Sequence, residues 1–406
     1  ITADYRYTPN AQLKNRLKFS VGRDIINFDI LGFLGAEFDL KTTALRDTVT
    51  YRFNKHFSLD AGIDAEFASS TGFVKLPPPP REGEVQPDGP PDNVIESTFN
   101  NEAYFWGAPF LEGEIRYGGL TLVPGIRVDR FGLTKDWSVD PRFVARYDFN
   151  QWAVKAGAAV VHQDPDFPDI DINFGNPDLK LQRAYQYSFG GEWAPWEHIK
   201  ADLTFFYKDM RNLVTSSSRV VERDGQQVPE RLANDGKGRV YGAEVFLEHS
   251  FANNMRGWIS YTLSRAERRD RPGEDYRLFD FDQTHILAVV GSYVLPRNWE
   301  VGIRWRYVSG NLFTPVIGSI FDNDQDRYFQ LPGETNSDRL PDFHQLDIRV
   351  DKTWVFDTWK LSSYLSLINS YNRGNAEAVN YNFDYTESNF TTGLPVLPIL
   401  GVKGEW

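Results

Sequence analysis

Three stretches of the chain hold acidic or histidine side chains at spacings that could do chemistry. The run FDNDQDRYF places Asp322, Asp324 and Asp326 at alternate positions, as a calcium loop does before its sharp glycine turn and bidentate glutamate. Arg327 stands where that glycine belongs, so the run predicts a solvated acidic loop. The run HQDPDFPDIDI carries Asp164, Asp166, Asp169 and Asp171 around two prolines, which predicts an irregular loop whose carboxylates could meet a cation. Six histidines, His56, His162, His198, His249, His285 and His344, are scattered without zinc spacing. Asp282 and His285 are neighbours in sequence, yet at i and i+3 on a strand they face opposite sides. There is no Gly-x-Ser-x-Gly elbow, no phosphate loop and no cysteine. The expectation is a protein that is not an enzyme and needs no metal or cofactor.

Composition turns attention to the elements. Of 406 residues, 15% are aromatic, a share that suits strands and membrane interfaces. A net charge of −12 argues against a nucleic-acid partner, because phosphate contacts need a basic surface. No run of about 18 apolar residues exists, so a spanning helix is excluded. A mean hydropathy of −0.46 would ordinarily read as water-soluble. A membrane barrel, however, shows lipid only every second residue, so its average hydropathy misleads.

Alternation recurs along most of the chain. The stretch NWEVGIRWRYVSG sets Trp299, Val301, Ile303, Trp305 and Tyr307 against Glu300, Arg304 and Arg306, a strand with one apolar and one charged face. The segments IKADLTFFY (199–207), LTLVPGIRVD (120–129) and LDIRVDKTW (346–354) alternate similarly. Connections are unequal. Short turns are expected near 53–56, 117–119, 149–151, 194–198, 251–254, 295–298 and 356–358. Long polar loops are expected over 69–100, 163–179, 209–238, 267–281, 310–341 and 371–391, with only 131–136 brief. Short turns on one side and long loops on the other are the pattern of an outer-membrane barrel, whose strands pass back and forth across one bilayer. The Pro-rich stretch 75–93 predicts an extended extracellular excursion without a core. The fold class is therefore an all-β transmembrane antiparallel barrel. Roughly 17 strands are visible, an odd number where a barrel with both ends periplasmic needs an even one.

The segment GNPDLKLQRAYQYSFGGEW (175–193) is where a likeness becomes specific. It resembles the Gly-Asn-Pro-x-Leu-Lys segment of TonB-dependent outer-membrane receptors. Gly175, Asn176, Pro177, Leu179 and Lys180 match, whereas Leu181 and Gln182 stand where Pro-Glu is more usual. Segments 238–251, 257–266, 281–310, 340–354 and 367–375 are similar, in order, to the family's later strands. The ending PILGVKGEW resembles its last strand, with Val402, Gly404 and Trp406 on one face, and the likeness implies a signal read by the barrel-assembly machinery.

The resemblance implies an upstream plug, a segment contacting TonB, energy from the inner-membrane proton gradient, and a scarce nutrient as cargo: a metal chelate, cobalamin, a glycan or a peptide. Residues 1–406 would then be the C-terminal portion of a barrel of about 22 strands, with plug and first strands outside the chain. A passive porin or a surface adhesion or assembly barrel is the alternative. Candidate ligand contacts are the loop aromatics Trp106, Trp137, Tyr328 and Phe329 and the lumen arginines Arg127, Arg304 and Arg306. Their alternative roles are interfacial anchoring and lumen charge pairing with Glu112, Glu114 and Asp129.

Overall fold

The structure is a computed structural model describing residues 1–30, 34–77, 94–223, 225–324 and 326–406, with backbone alone for 99–101. Of the excursion expected at 75–93, residues 78–93 lie outside the described residues. One antiparallel sheet dominates. It has 18 strands, one of them the two-residue Arg277–Leu278, so seventeen cross back and forth. Each long strand pairs with the next in sequence, from Thr2–Tyr7 beside Leu13–Ile30 to Lys360–Ile368 beside Leu397–Glu405. Among the described residues the first and last of these strands do not pair with each other.

The tight turns form where residues tolerate left-handed backbone. Gly118, Asn150, Asn253, Asn254 and Asn298 all have positive φ, the region that glycine and asparagine enter at least cost. On the opposite side the strands run further than the sequence pattern shows. The segments expected as loop at 69–76 and 95–100 are strand, because Phe57–Leu76 and Ile95–Tyr117 pair as far as Leu76 with Ile95. Outside lipid a paired strand needs no apolar face, so alternation fades while backbone pairing continues. Leu13–Ile30 and Leu34–Arg52 pair along their whole length, up to Ile30 with Leu34. The long connections carry hairpins of their own at Val220–Pro229, Val316–Pro332 and Ala376–Thr392.

Alternation becomes two environments. Ile303 is 44% exposed on the outward face, opposite Ile348 and Gly291. Arg304 points the other way, its Nε donating to Asp347 at 2.9 Å. Outward aromatics ring the turn side, where Trp152 stacks on Trp193 at 5.4 Å and Phe356 on Trp359 at 4.6 Å. Lys352 lies 5.4 Å from the Trp299 ring, its stem along the apolar face and its ammonium at the interface. The small apolar core sits beyond the membrane, where Phe174 packs on Ala36 and Val74, a cross-strand pair.

Candidate functional site

The inner wall gathers charge by strand register. Asp64, Arg127 and Asp129 come from neighbouring inward positions, and Arg127 donates to Asp64 at 2.7 Å and to Asp129 at 3.0 Å. Arg46 also bonds Asp64. Both aspartates are 4% exposed, so their negative charge is compensated by the guanidinium groups rather than by water. The Arg127 guanidinium lies 5.0 Å from the centre of the Trp106 ring. Trp106 is not on a loop: it lies within Ile95–Tyr117, opposite Glu66, on the inward side.

On the far wall Arg304 and Arg306 share the inward face of Trp299–Val308. Asp347 accepts from Arg304, from Gln345 at 2.7 Å and from the Asn369 amide at 2.9 Å. Arg306 sits 5.1 Å from the Phe343 ring, and its Nε is buried without a hydrogen bond. Toward the turn side a cavity of about 970 Å³ is lined by Arg256, Glu300, Arg304, Asp347, Arg349 and Asp351. Such a wall can hold a polar or charged body in water.

The loop aromatics scatter. Tyr328 lies on the hairpin strand Arg327–Pro332 and packs against Phe321 at 4.9 Å and Phe383 at 5.7 Å. Phe329 holds the Arg327 guanidinium 4.4 Å from its ring. Trp137 is the first residue of Trp137–Phe149, 64% exposed and in phase with the outward Val139 and Phe143. It is therefore corrected from loop aromatic to outward rim residue, because the strand opens at Trp137 itself, directly after the brief 131–136 connection. Of the seven candidates, Trp106 meets Arg127, and Arg304 neighbours Arg306; Tyr328 and Phe329 stand above them on the loops.

The acidic runs are engaged internally. Asp164 accepts from the Leu133 and Thr134 amides at 3.2 Å, and Asp171 accepts from Ser97 at 2.8 Å. Burial and the nearby Asp166 raise the pKa of Asp169 above the ordinary carboxylate range. Asp322 accepts from the Asp324 amide at 2.8 Å, and among the described residues no group of three or more His, Asp or Glu is disposed to hold a metal. The hydroxyl and amide of Thr386 hold the Asp384 carboxyl below its ordinary value.

The GNPDLK segment staples a loop. A Cβ on Gly175 would lie 1.9 Å from the Asp169 carbonyl oxygen, so no other residue fits. Asn176, 4% exposed, donates to Leu232 O at 2.8 Å and accepts from the Asp178 amide at 3.0 Å. Lys180 then hands the chain to Asn234, whose side chain takes its amide at 2.7 Å and returns a bond to its carbonyl at 3.0 Å. Sequence reasoning weighed Asp282 only against His285 and missed its pairing with Arg339. The Asp282 side chain is fully buried, accepting from the Ala266 amide at 2.6 Å, from Thr284 at 3.1 Å and from Arg339. His285 instead meets the Tyr261 hydroxyl at 2.8 Å. At the end of the chain Val402 (73% exposed) and Gly404 share one face of Leu397–Glu405, and Trp406, one residue past the strand, is 99% exposed.

Comparison with known proteins follows this geometry. The family profile described as TonB dependent receptor-like, beta-barrel matches residues 1–392. Among solved structures, the unliganded ferric citrate transporter FecA superposes with a TM-score of 0.66 at 14% identity, covering 99% of this chain and 60% of that one. The pyoverdine receptor FpvA of Pseudomonas aeruginosa PAO1 gives 0.67 at 14%, covering 100% and 60%. The ferric-catecholate import receptor Fiu of E. coli K12 gives 0.63 at 14%, covering 100% and 63%. The chain thus spans about three fifths of the length of these structures. No curated protein matches it. With a family match over nearly its whole length and a barrel that shows lipid-facing apolar and inward charged faces, the chain belongs to the TonB-dependent receptor-like β-barrel family of the bacterial outer membrane.

Proposed function

We propose that this barrel serves active, TonB-coupled uptake of a scarce nutrient, with a metal chelate as the leading cargo class. The observation that carries the reading is the inward wall: ion-paired Arg127 and Arg304 frame a wet lumen, while Arg306 keeps a buried Nε without a hydrogen bond. An acidic chelate offers the acceptors such arginines need. Support for the class also comes from the neighbours, which include a ferric citrate transporter, a pyoverdine receptor and a ferric-catecholate import receptor. Trp106, Tyr328 and Phe329 would add aromatic surface along the path, and a plug and a TonB-contacting segment outside this chain would close and energise it. Val402, Gly404 and Trp406 would present the ending to the barrel-assembly machinery.

The test is uptake by cells expressing the full-length protein under iron limitation, with radiolabelled ferric citrate, ferric catecholate and ferric hydroxamate as probes. Accumulation of one chelate that stops with a proton uncoupler or on loss of TonB supports the proposal. Flux indifferent to both would show a passive pore instead.

A further inference from the structure

The register places four cations in one row on the outside of the barrel. Arg183 lies opposite Arg211, Arg211 opposite Lys237, and Lys237 opposite Arg269. All four are in phase with outward residues: Tyr187 and Phe189, Phe205 and Tyr207, Tyr241, and Leu263. Four residues nearer the membrane, Tyr187, Tyr207 and Tyr241 stand side by side as an aromatic belt. At strand rise, and allowing for strand tilt, the cations ride about 10 Å above those hydroxyl-tipped rings. They span about 14 Å across four strands.

Three members of the row have no acid to neutralise them among the described residues. Asp209 takes Arg211 at 2.7 Å, and one row lower Glu267 takes Arg239 and Arg265 at 2.5 and 2.7 Å. Among the described residues Arg183, Lys237 and Arg269 have no acidic partner, and the Nε atoms of Arg183 and Arg269 are buried without a hydrogen bond. Rings hold the guanidinium groups in place. Tyr185 lies 5.0 Å from both Arg183 and Arg211, and Tyr276 lies 4.4 Å from Arg239 and 5.6 Å from Arg269. In a protein of net charge −12, this is a fixed concentration of positive charge at headgroup height.

We infer that the outer face of these four strands binds the phosphates of an anionic glycolipid of the outer leaflet, with Arg183, Lys237 and Arg269 as its contacts. The guanidinium forks match phosphate oxygens, and the tyrosine belt meets the acyl boundary below.

The probe is purified bisphosphorylated lipid A added to the full-length protein in neutral detergent, read by binding and by the thermal midpoint of the barrel. Lipid A should raise the midpoint, and dephosphorylated lipid A should raise it far less. At about a fivefold loss for each lost cation, the triple variant R183Q/K237Q/R269Q should bind about a hundredfold more weakly. The variant R23Q/K41Q, which removes outward cations from other strands, should bind as the unaltered protein does. Equal protection by the dephosphorylated lipid would overturn the proposal, and this comparison requires no variant to fold. Equal protection by inorganic phosphate at matched concentration would overturn the lipid as the source.

Discussion

Replacing Ile303 with arginine isolates the claim that successive residues of one strand live in different solvents. Trp299 and Tyr307 sit four residues to either side of Ile303, about 13 Å each way, so the side chain is central in an apolar band about 25 Å tall. At that depth a lipid-facing arginine costs about 2 to 4 kcal/mol, or roughly a 30- to 700-fold fall in the folded-to-unfolded ratio. The neighbouring change Arg304→Gln meets water and Asp347 instead, and Asp347 keeps its bonds from Gln345 and the Asn369 amide. Its cost should be about 1 kcal/mol, since the Arg304 side chain is 51% exposed and its ion pair is screened. Urea unfolding in vesicles, followed by tryptophan fluorescence, measures both. Single nitroxide labels at 303 and 304 give an independent reading through a lipid-soluble quencher. An unchanged midpoint for I303R, or equal quenching at the two positions, would refute the two-faced assignment.

Gly175→Ala should loosen the 164–181 loop while the barrel persists, seen as faster proteolysis there with heat-modifiable migration intact, because the new Cβ meets the Asp169 carbonyl. Asp282→Ala should cost about 2 to 3 kcal/mol and speed amide exchange at Ala266, since Arg339 loses its partner but is 27% exposed and can recover some water. Asp169 has a folded-state pKa above its unfolded one, so its contribution is fully present below the unfolded pKa and is lost as pH rises through the folded pKa. Asp169→Asn should therefore protect the same loop at neutral pH and flatten the pH dependence of its hydrogen exchange; a steeper dependence would contradict this.

Where lipid imposes period two, sequence was enough to read the fold. Trp299 to Tyr307 alternate because every outward residue meets hydrocarbon, and the tight turns were marked by Gly118 and the asparagines at 150, 253 and 298. Above the membrane the constraint lapses. Residues 95–98 look like loop because nothing forces their side chains to alternate, yet their backbone still pairs with Phe57–Leu76. Trp106 and Trp137 were misplaced as loop aromatics, although Trp106 lies inside Ile95–Tyr117 and Trp137 opens Trp137–Phe149.

The site is less legible than the fold because its chemistry belongs to register. Asp282 and Arg339 lie 57 positions apart, and nothing in either local sequence names the other. Arg183, Arg211, Lys237 and Arg269 each look like an ordinary strand-end cation, one to a strand, which is the usual way to keep a strand end soluble. Pairing brings them to neighbouring strands about 4.8 Å apart, and three of the four then lack an acid to answer them. Four like charges so arranged repel one another in water, and the cost is tolerable only if salt screens them or a polyanion lies across them. The row stands where the outer leaflet carries its phosphates, so a lipid headgroup can serve as the missing counter-charge.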